Sequence, residues 1–183
     1  MSIEEICKKY GISNYTINDD GSIDVDGHVI IWDMGLTELP LKFNKVNGDF
    51  ECYDNKLTSL KNSPIEVTRS FNCSNNKLTT LEGGPEKVGV GFKCSANKLT
   101  DLKFSPKYVG GNFTCNWNDI TTLDGFESEI KGIVSYTISG FEYTNKKLVT
   151  TFHCAGNPIA SIFNDVDMDF IRSKFSTNVQ SVE

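Results

Sequence analysis

Residues 71–81 read Phe-Asn-Cys-Ser-Asn-Asn-Lys-Leu-Thr-Thr-Leu. The pattern Phe-x-Cys-x-x-Asn-x-Leu-x-x-Leu, with Ile for the first Leu in the last copy, stands four times between Val46 and Ile130. The cysteines of the four copies, each 21 residues after the last, are Cys52, Cys73, Cys94 and Cys115. A constant period in the twenties is the signature of a solenoid, whose repeats pack on their neighbours. The 183 residues are therefore expected to form one elongated repeat domain without a separate globular core.

Within each copy, Phe and Cys alternate with polar residues, which is the pattern of a short strand with one buried face. The copies are expected to stack as parallel strands, with their aromatic residues inside: Phe50, Phe71, Phe92 and Phe113. An Asn follows three residues after each Cys, where the chain leaves the strand. A buried Asn can both donate to and accept from backbone that no ladder reaches, so we interpret this column as structural. Its members are Asn55, Asn76, Asn97 and Asn118.

Weaker copies extend the pattern at both ends. A degenerate repeat precedes the four and places Val29, Ile31, Met34, Leu36 and Leu39 in the repeat slots. Later copies begin at Val134, where Ser139 replaces the Asn, and at Phe152, after a shortened spacing. The expected result is about seven parallel strands with an irregular opposite side, starting near residues 29, 50, 71, 92, 113, 134 and 152.

The segments outside the repeats are predicted to cap the solenoid. Apolar residues at helical spacing predict a helix over residues 3–10, and an Asp-Gly turn at Asp20-Gly21 predicts a hairpin over residues 15–25. Asn164 and Asp165 are good helix N-caps and predict a C-terminal helix. The expected organisation is an N-terminal cap over residues 1–27, a solenoid over 28–162 and a C-terminal cap and tail over 163–183, in one structural domain.

The residue pattern of the repeat resembles that of the leucine-rich-repeat family over residues 28–162, with Phe and Cys at the first two leucine positions. It is most similar to the short cysteine-bearing repeats common in tailed-bacteriophage proteins, and the best matches are residues 71–81 and 92–102. The resemblance implies an α/β-type repeat solenoid whose concave sheet binds a partner. Because such repeats serve many unrelated binding tasks, the likeness is specific for fold and weak for function.

Charge and cysteine usage point to an intracellular protein. The net charge of −6 argues against general nucleic-acid binding. The sequence shows neither a membrane-spanning apolar run nor a secretory signal, so we expect a cytoplasmic location. Four of the six cysteines occupy a hydrophobic repeat slot, where a free thiol serves as a small apolar group. A disulfide framework is the less favoured alternative.

Large aromatic residues stand out on the outward strand positions, which otherwise carry small polar side chains. They are Trp32, Tyr53 and Trp117. Trp and Tyr are frequent interface hot spots, although each could instead pack on a cap or a neighbouring strand, an interpretation favoured for Trp32. The predicted partner-binding residues are Tyr53, Asn72, Lys93, Asn116 and Trp117.

A second column carries lysine and ends with an acid: Lys56, Lys77, Lys98 and Asp119. Such a column is usually a solvated edge, and its functional alternative is a basic stripe for an acidic partner.

The sequence contains no recognisable catalytic or metal-binding pattern. His153 and Cys154 are neighbours in a predicted strand, so they face opposite sides and cannot act together. Asp165, Asp167 and Asp169 resemble the start of a calcium loop, but Phe170 and Ser176 stand where such a loop needs Gly and Glu. We therefore predict no catalytic residues, no metal and no cofactor.

The sequence favours a non-enzymatic module that binds one macromolecular partner on its concave face. The phage resemblance implies a modulator or inhibitor of a bacterial host protein, such as a defence component, acting in the cytoplasm of the infected cell. The alternative is a self-associating or virion-associated structural protein. An enzymatic role ranks last, because only the isolated His28 and His153 support it.

Overall fold

The computed structural model describes residues 1–122, 125–126 and 128–130, and beyond these the backbone of three further strands. The chain is a β-solenoid of about five turns, built from parallel strands with very little helix. The predictions about Ser139, Cys154 and residues 163–183 lie outside the described residues.

The elements follow in chain order. Helix α1 spans Ile3–Lys9. The strands are β1 Tyr15–Ile17, β2 Ile23–Val25, β3 Val29–Ile30, β4 Phe43–Val46, β5 Phe50–Glu51, β6 Glu66–Val67, β7 Phe71–Asn72, β8 Lys87–Val88, β9 Phe92–Lys93, β10 Tyr108–Val109, β11 Phe113–Thr114, β12 Glu129–Ile130, β13 Val134–Ile138, β14 Phe141–Tyr143 and β15 Thr150–His153.

Each repeat contributes two short strands, and these build two sheets. The phenylalanine sheet has the order β14-β13-β15-β11-β9-β7-β5-β3, and the valine sheet has the order β1-β2-β4-β6-β8-β10-β12. Phe50 pairs with Phe71 and Phe71 with Phe92, because the 21-residue period brings identical positions together. The same period pairs Val46 with Val67 and Val67 with Val88.

The prediction of an irregular side opposite the phenylalanine strands is wrong, because the valine column forms a ladder of its own. Thr68 N donates to Val46 O at 3.0 Å, and Gly89 N donates to Val67 O at 2.9 Å. A constant repeat length holds every backbone segment in register, so extended residues pair wherever they occur. These strands are too short to show an alternating pattern in sequence.

The strand order at the C-terminal end also differs from the predicted stacking. Strand β15 pairs directly with β11, and β13 lies outside β15. The register pairs Phe152 with Phe113. The copy at Phe152, which matches the repeat pattern more closely than the copy at Val134, therefore stacks directly on the fourth repeat. Strand β13 instead pairs antiparallel with β14 as a hairpin, which adds a strand to the sheet's end.

The core between the two sheets contains a column of stacked phenyl rings, which we call the phenyl column. Phe50, Phe71, Phe92 and Phe113 are 0% exposed, as the alternation predicts. The ring centroids of Phe50 and Phe71 are 5.3 Å apart with an interplanar angle of 6°. The described cysteines of the repeats, Cys52, Cys73, Cys94 and Cys115, lie beside this column and are buried without disulfide bonds. Burial raises the pKa of the Cys73 thiol well above its usual value, so these thiols act as apolar groups.

The predicted N-terminal helix and hairpin are both present. Ser2 and Glu5 form a capping box in which Ser2 N donates to Glu5 Oε2 at 2.8 Å, and this fixes the start of α1. Cys7 of α1 is buried in the core. Strand β2 pairs with both β1 and β4, so the hairpin continues the valine sheet.

Each turn bends sharply at the residue before the Asn position of the repeat, which Met34 occupies in the first turn. This residue has a left-handed backbone with φ between 52° and 54° in all five turns, at Asp33, Asp54, Asn75, Ala96 and Trp117. Asp and Asn tolerate this conformation, whereas other side chains crowd the backbone at a cost of about 1–2 kcal/mol. Ala96 and Trp117 therefore carry strain that their counterparts avoid.

We expect Ala96→Asn to raise the free energy of unfolding by roughly 0.5–1 kcal/mol, because Asn fits the left-handed backbone better than Ala. Chemical denaturation measures the change. The matched control is Lys98→Asn, at an exposed position without positive φ, which should leave stability unchanged. An equal gain in both variants would show that backbone strain is not the cause.

Candidate binding face

The outward side chains of β3, β5, β7, β9 and β11 form one surface, which we call the strand face. Its central column consists of Ile30, Glu51, Asn72, Lys93 and Thr114, which the sheet register places side by side. Two residues further along each strand, the next column consists of Trp32, Tyr53, Ser74, Ser95 and Asn116. At about 4.8 Å per strand, the five strands span about 19 Å.

Four of the five predicted binding residues belong to the strand face. Asn72 and Lys93 are direct neighbours in register. Tyr53 and Asn116 share a column but lie three strands apart, about 14 Å. Trp117 follows the strand at the left-handed bend, so it stands at the rim of the face. The five residues thus spread across a broad surface and do not converge on one point.

Trp117 is the most exposed aromatic residue in the described part of the chain. Its side chain is 65% exposed, and its backbone has a φ of 53°. Among the described residues no other ring stacks on it. The fold therefore bears the cost of both an exposed indole and a strained backbone at this position, without a matching gain in burial.

Trp32 and Tyr53 form a stacked pair, with ring centroids 5.5 Å apart and an interplanar angle of 5°. This contact agrees with the alternative that Trp32 packs on a neighbouring strand, and it gives Tyr53 a structural partner as well. Ile30 and Met34 lie near this pair in sequence and are 43% and 46% exposed. Neither residue is among the five predicted binding residues, although the alternation places Ile30 on the outward side of its strand.

An ion-pair cluster adjoins the central column at its N-terminal end. His28 Nδ1 lies 2.9 Å from Asp49 Oδ2, and Arg69 Nε lies 3.5 Å from the same oxygen. The backbone N–H of Ser70 donates to the other oxygen of Asp49 at 2.9 Å. The backbone N–H of Asp49 also donates to His28 Nδ1 at 3.1 Å, so Asp49 links the residues that precede β3, β5 and β7. A His–Asp pair supplies no nucleophile by itself, and none joins it among the described residues.

Burial raises the pKa of Glu51 above its usual range, against the opposing effects of an Asn72 hydrogen bond and the Lys93 charge. The folded state thus binds the Glu51 proton more tightly than the unfolded chain does. Stability that this group contributes is present at low pH and is lost as the pH rises through the folded pKa.

We expect Glu51→Gln to raise the stability of the protein at pH 7 relative to the wild type, because the variant has no buried charge to desolvate. The gain should vanish near pH 3.5, below the ordinary Glu pKa of about 4.3. Denaturation of both proteins at the two pH values measures it. Glu82→Gln, at an exposed position, is the control, and a gain independent of pH would contradict this origin.

The predicted lysine column is exposed along its whole length, at Lys56, Lys77, Lys98 and the terminal Asp119. None of these four side chains has an ion-pair partner among the described residues. Their backbone N–H groups instead hold the turns together, as where Lys77 donates to Leu57 O at 2.9 Å.

The described part of the chain holds neither a metal-ion cluster nor a membrane-spanning helix. Among its described residues, no three or more His, Cys, Asp or Glu side chains are grouped so as to hold a metal ion. No helix found there has the length and apolar character needed to cross a membrane. Comparison with protein-family models, curated proteins and solved structures yields no match to this chain.

Proposed function

We propose that this chain is a non-enzymatic binding module of the leucine-rich-repeat type, which docks one protein partner on its strand face. The single observation that carries the proposal is Trp117. The indole is 65% exposed on a strained backbone, so folding buries little of it, and Trp is among the residue types most enriched in interface hot spots.

The surroundings of Trp117 support a protein partner. The strand face is open and carries mixed polar groups, such as Asn72 and Lys93, with the Trp32–Tyr53 pair at its far end. Protein interfaces combine a few aromatic anchors with a polar rim in this way. The face spans about 19 Å across its strands, which suits a macromolecular surface better than a small ligand.

The resemblance of the repeats to phage proteins supports a narrower form of the proposal. The partner would be a protein of a bacterial host, such as a defence component, and binding would modulate or inhibit it in the cytoplasm. This narrower proposal is supported by the residue pattern of residues 71–81 and 92–102.

The test separates binding from folding by exchanging one residue in two neighbouring turns. Trp117→Asn removes the indole and installs the residue type found at position 75. It should raise stability by about 1 kcal/mol and weaken partner capture by about thirtyfold, as expected for a hot-spot residue. Capture from bacterial lysate, quantified by mass spectrometry and followed by titration of the purified partner, measures the second effect.

Ala96→Asn is the matched control, since it introduces the same residue at the equivalent position of the preceding turn. It should gain stability and keep full affinity. Equal affinity of Trp117→Asn and the wild type would place the binding site elsewhere, and destabilisation by Trp117→Asn would identify the indole as a packing group.

A further inference from the structure

Strand β3 is the free edge of the phenylalanine sheet. Val29, Ile31 and Asp33 donate their backbone N–H groups to the carbonyls of Asp49, Glu51 and Tyr53, at 2.9, 2.9 and 3.2 Å. Successive backbone groups of a strand point to opposite sides, so those of His28, Ile30 and Trp32 point away from β5. Among the described residues these outward groups have no hydrogen-bond partner.

The residues along this edge are also apolar and exposed. Ile30 is 43% exposed, Trp32 44% and Met34 46%. Their counterparts one turn later, Glu51 and Tyr53, are only part-exposed because the preceding strand covers them. Exposed edge strands are normally protected by Lys, Pro or a covering element, and a bare one is a template for strand addition.

The chain segment that carries the edge has charge of one sign. Between Tyr10 and Leu41 the sequence contains six acidic residues and no Lys or Arg. Of these acids only Asp20 has a cationic partner in the described structure, Lys42. Asp26 and Asp33 flank the edge directly and are exposed. A ligand at this edge would therefore meet the negative field of these carboxylates.

We propose that β3 accepts an extended, basic segment of a partner protein as an added strand. The outward backbone groups of His28, Ile30 and Trp32 pair with the backbone of the segment. Apolar side chains on one side of the segment contact Ile30 and Trp32, and its Lys or Arg residues meet Asp26 and Asp33. Backbone pairing supplies affinity and the alternate side chains supply specificity.

The same charges argue against a second copy of this chain as the occupant. Pairing two β3 edges would bring two acidic ends together, and like charges across an interface oppose association. A basic segment neutralises the field that a second copy would double. The backbone edge of β3 lies at the opposite end of the strand face from Trp117 and shares only Ile30 and Trp32 with that face, so the proposal goes beyond the function proposed above.

The test uses two synthetic peptides of equal length, one alternating Val with Lys and one alternating Val with Glu. Each is titrated into the full chain by isothermal calorimetry at low and moderate salt. We expect the basic peptide to bind at least about tenfold more tightly than the acidic one, and to weaken as salt screens the charges. A basic peptide methylated on the nitrogens of its pairing edge should lose binding.

Two substitutions at one position isolate the backbone contribution. Ile30→Pro removes the outward N–H without removing a β3–β5 hydrogen bond, since proline is tolerated at an edge strand. Ile30→Ala removes the same side chain and keeps that N–H. The proline variant should bind the basic peptide about fivefold more weakly than the alanine variant, as for the loss of one hydrogen bond.

Asp26→Asn with Asp33→Asn tests the charge contribution. Asn suits both sites, because Asp26 only accepts a hydrogen bond from Asn47 and Asp33 has a left-handed backbone. This variant should lose most of the preference for the basic peptide. Equal binding of both peptides, or full binding of the methylated peptide, would overturn the proposal. So would a concentration-dependent dimer that Ile30→Pro abolishes, since a second copy would then occupy the edge.

Discussion

Phe71→Ala should lower the free energy of unfolding by about 3–5 kcal/mol, the usual cost of deleting a fully buried phenyl ring. The side chain is 0% exposed. Its ring lies 5.3 Å from that of Phe50 and 5.6 Å from that of Phe92, stacked on both sides. The phenyl column holds the repeats on either side in place, so the cavity left by the missing ring cannot collapse unless a turn moves.

The effect should exceed a local loss, because a solenoid transmits stability only between neighbouring turns. A defect in the central turn weakens the coupling between the two halves, and the urea unfolding transition should broaden as well as shift. Phe71→Leu is the control, since it keeps most of the volume and should cost less than about 1.5 kcal/mol. A loss of stability below about 1 kcal/mol for Phe71→Ala would mean that the phenyl column does not form the core.

Asn97→Ala should cost about 3 kcal/mol or more, because it leaves several buried backbone groups without partners. Asn97 Nδ2 donates to Cys73 O and Cys94 O, both at 3.1 Å. Its Oδ1 accepts from Leu78 N at 3.0 Å. One side chain thus joins two turns and satisfies groups that the strand ladders do not reach.

The control for Asn97→Ala is Lys98→Ala, at the next residue, whose side chain is exposed. It should change stability by less than about 0.5 kcal/mol. Equilibrium denaturation compares the two variants, with hydrogen exchange at the Leu78 amide as a local readout. An unprotected Leu78 amide in Asn97→Ala alone would locate the loss at this hydrogen bond, whereas retained protection would show that the Asn column is dispensable.

The repeating phrase predicted the inner wall and the Asn ladder because both depend on contacts that recur every 21 residues. Phe71 and Asn97 meet the same surroundings in every turn, so the local pattern suffices. The valine sheet was missed for the opposite reason. Strands of two residues, such as Glu66–Val67, are stabilised by register with their neighbours and leave no alternating pattern.

The candidate site was predictable only in part. Alternation placed Asn72 and Lys93 on one outward surface, and the structure sets them side by side. It did not show that Tyr53 stacks on Trp32, or that Trp117 sits on a left-handed bend at the rim. Those facts depend on ring orientation and backbone torsion, which residue spacing does not encode.

The sequence by itself determined that the chain repeats, which side chains are buried and which residues recur at each bend, because a solenoid turn contacts only its neighbours. The tertiary structure alone decided the two-sheet cross-section, the placing of β15 against β11, and the free edge at β3. These depend on which backbone groups find partners in space. A repeat shows which strands are alike, whereas the complete stack decides which of them ends the sheet.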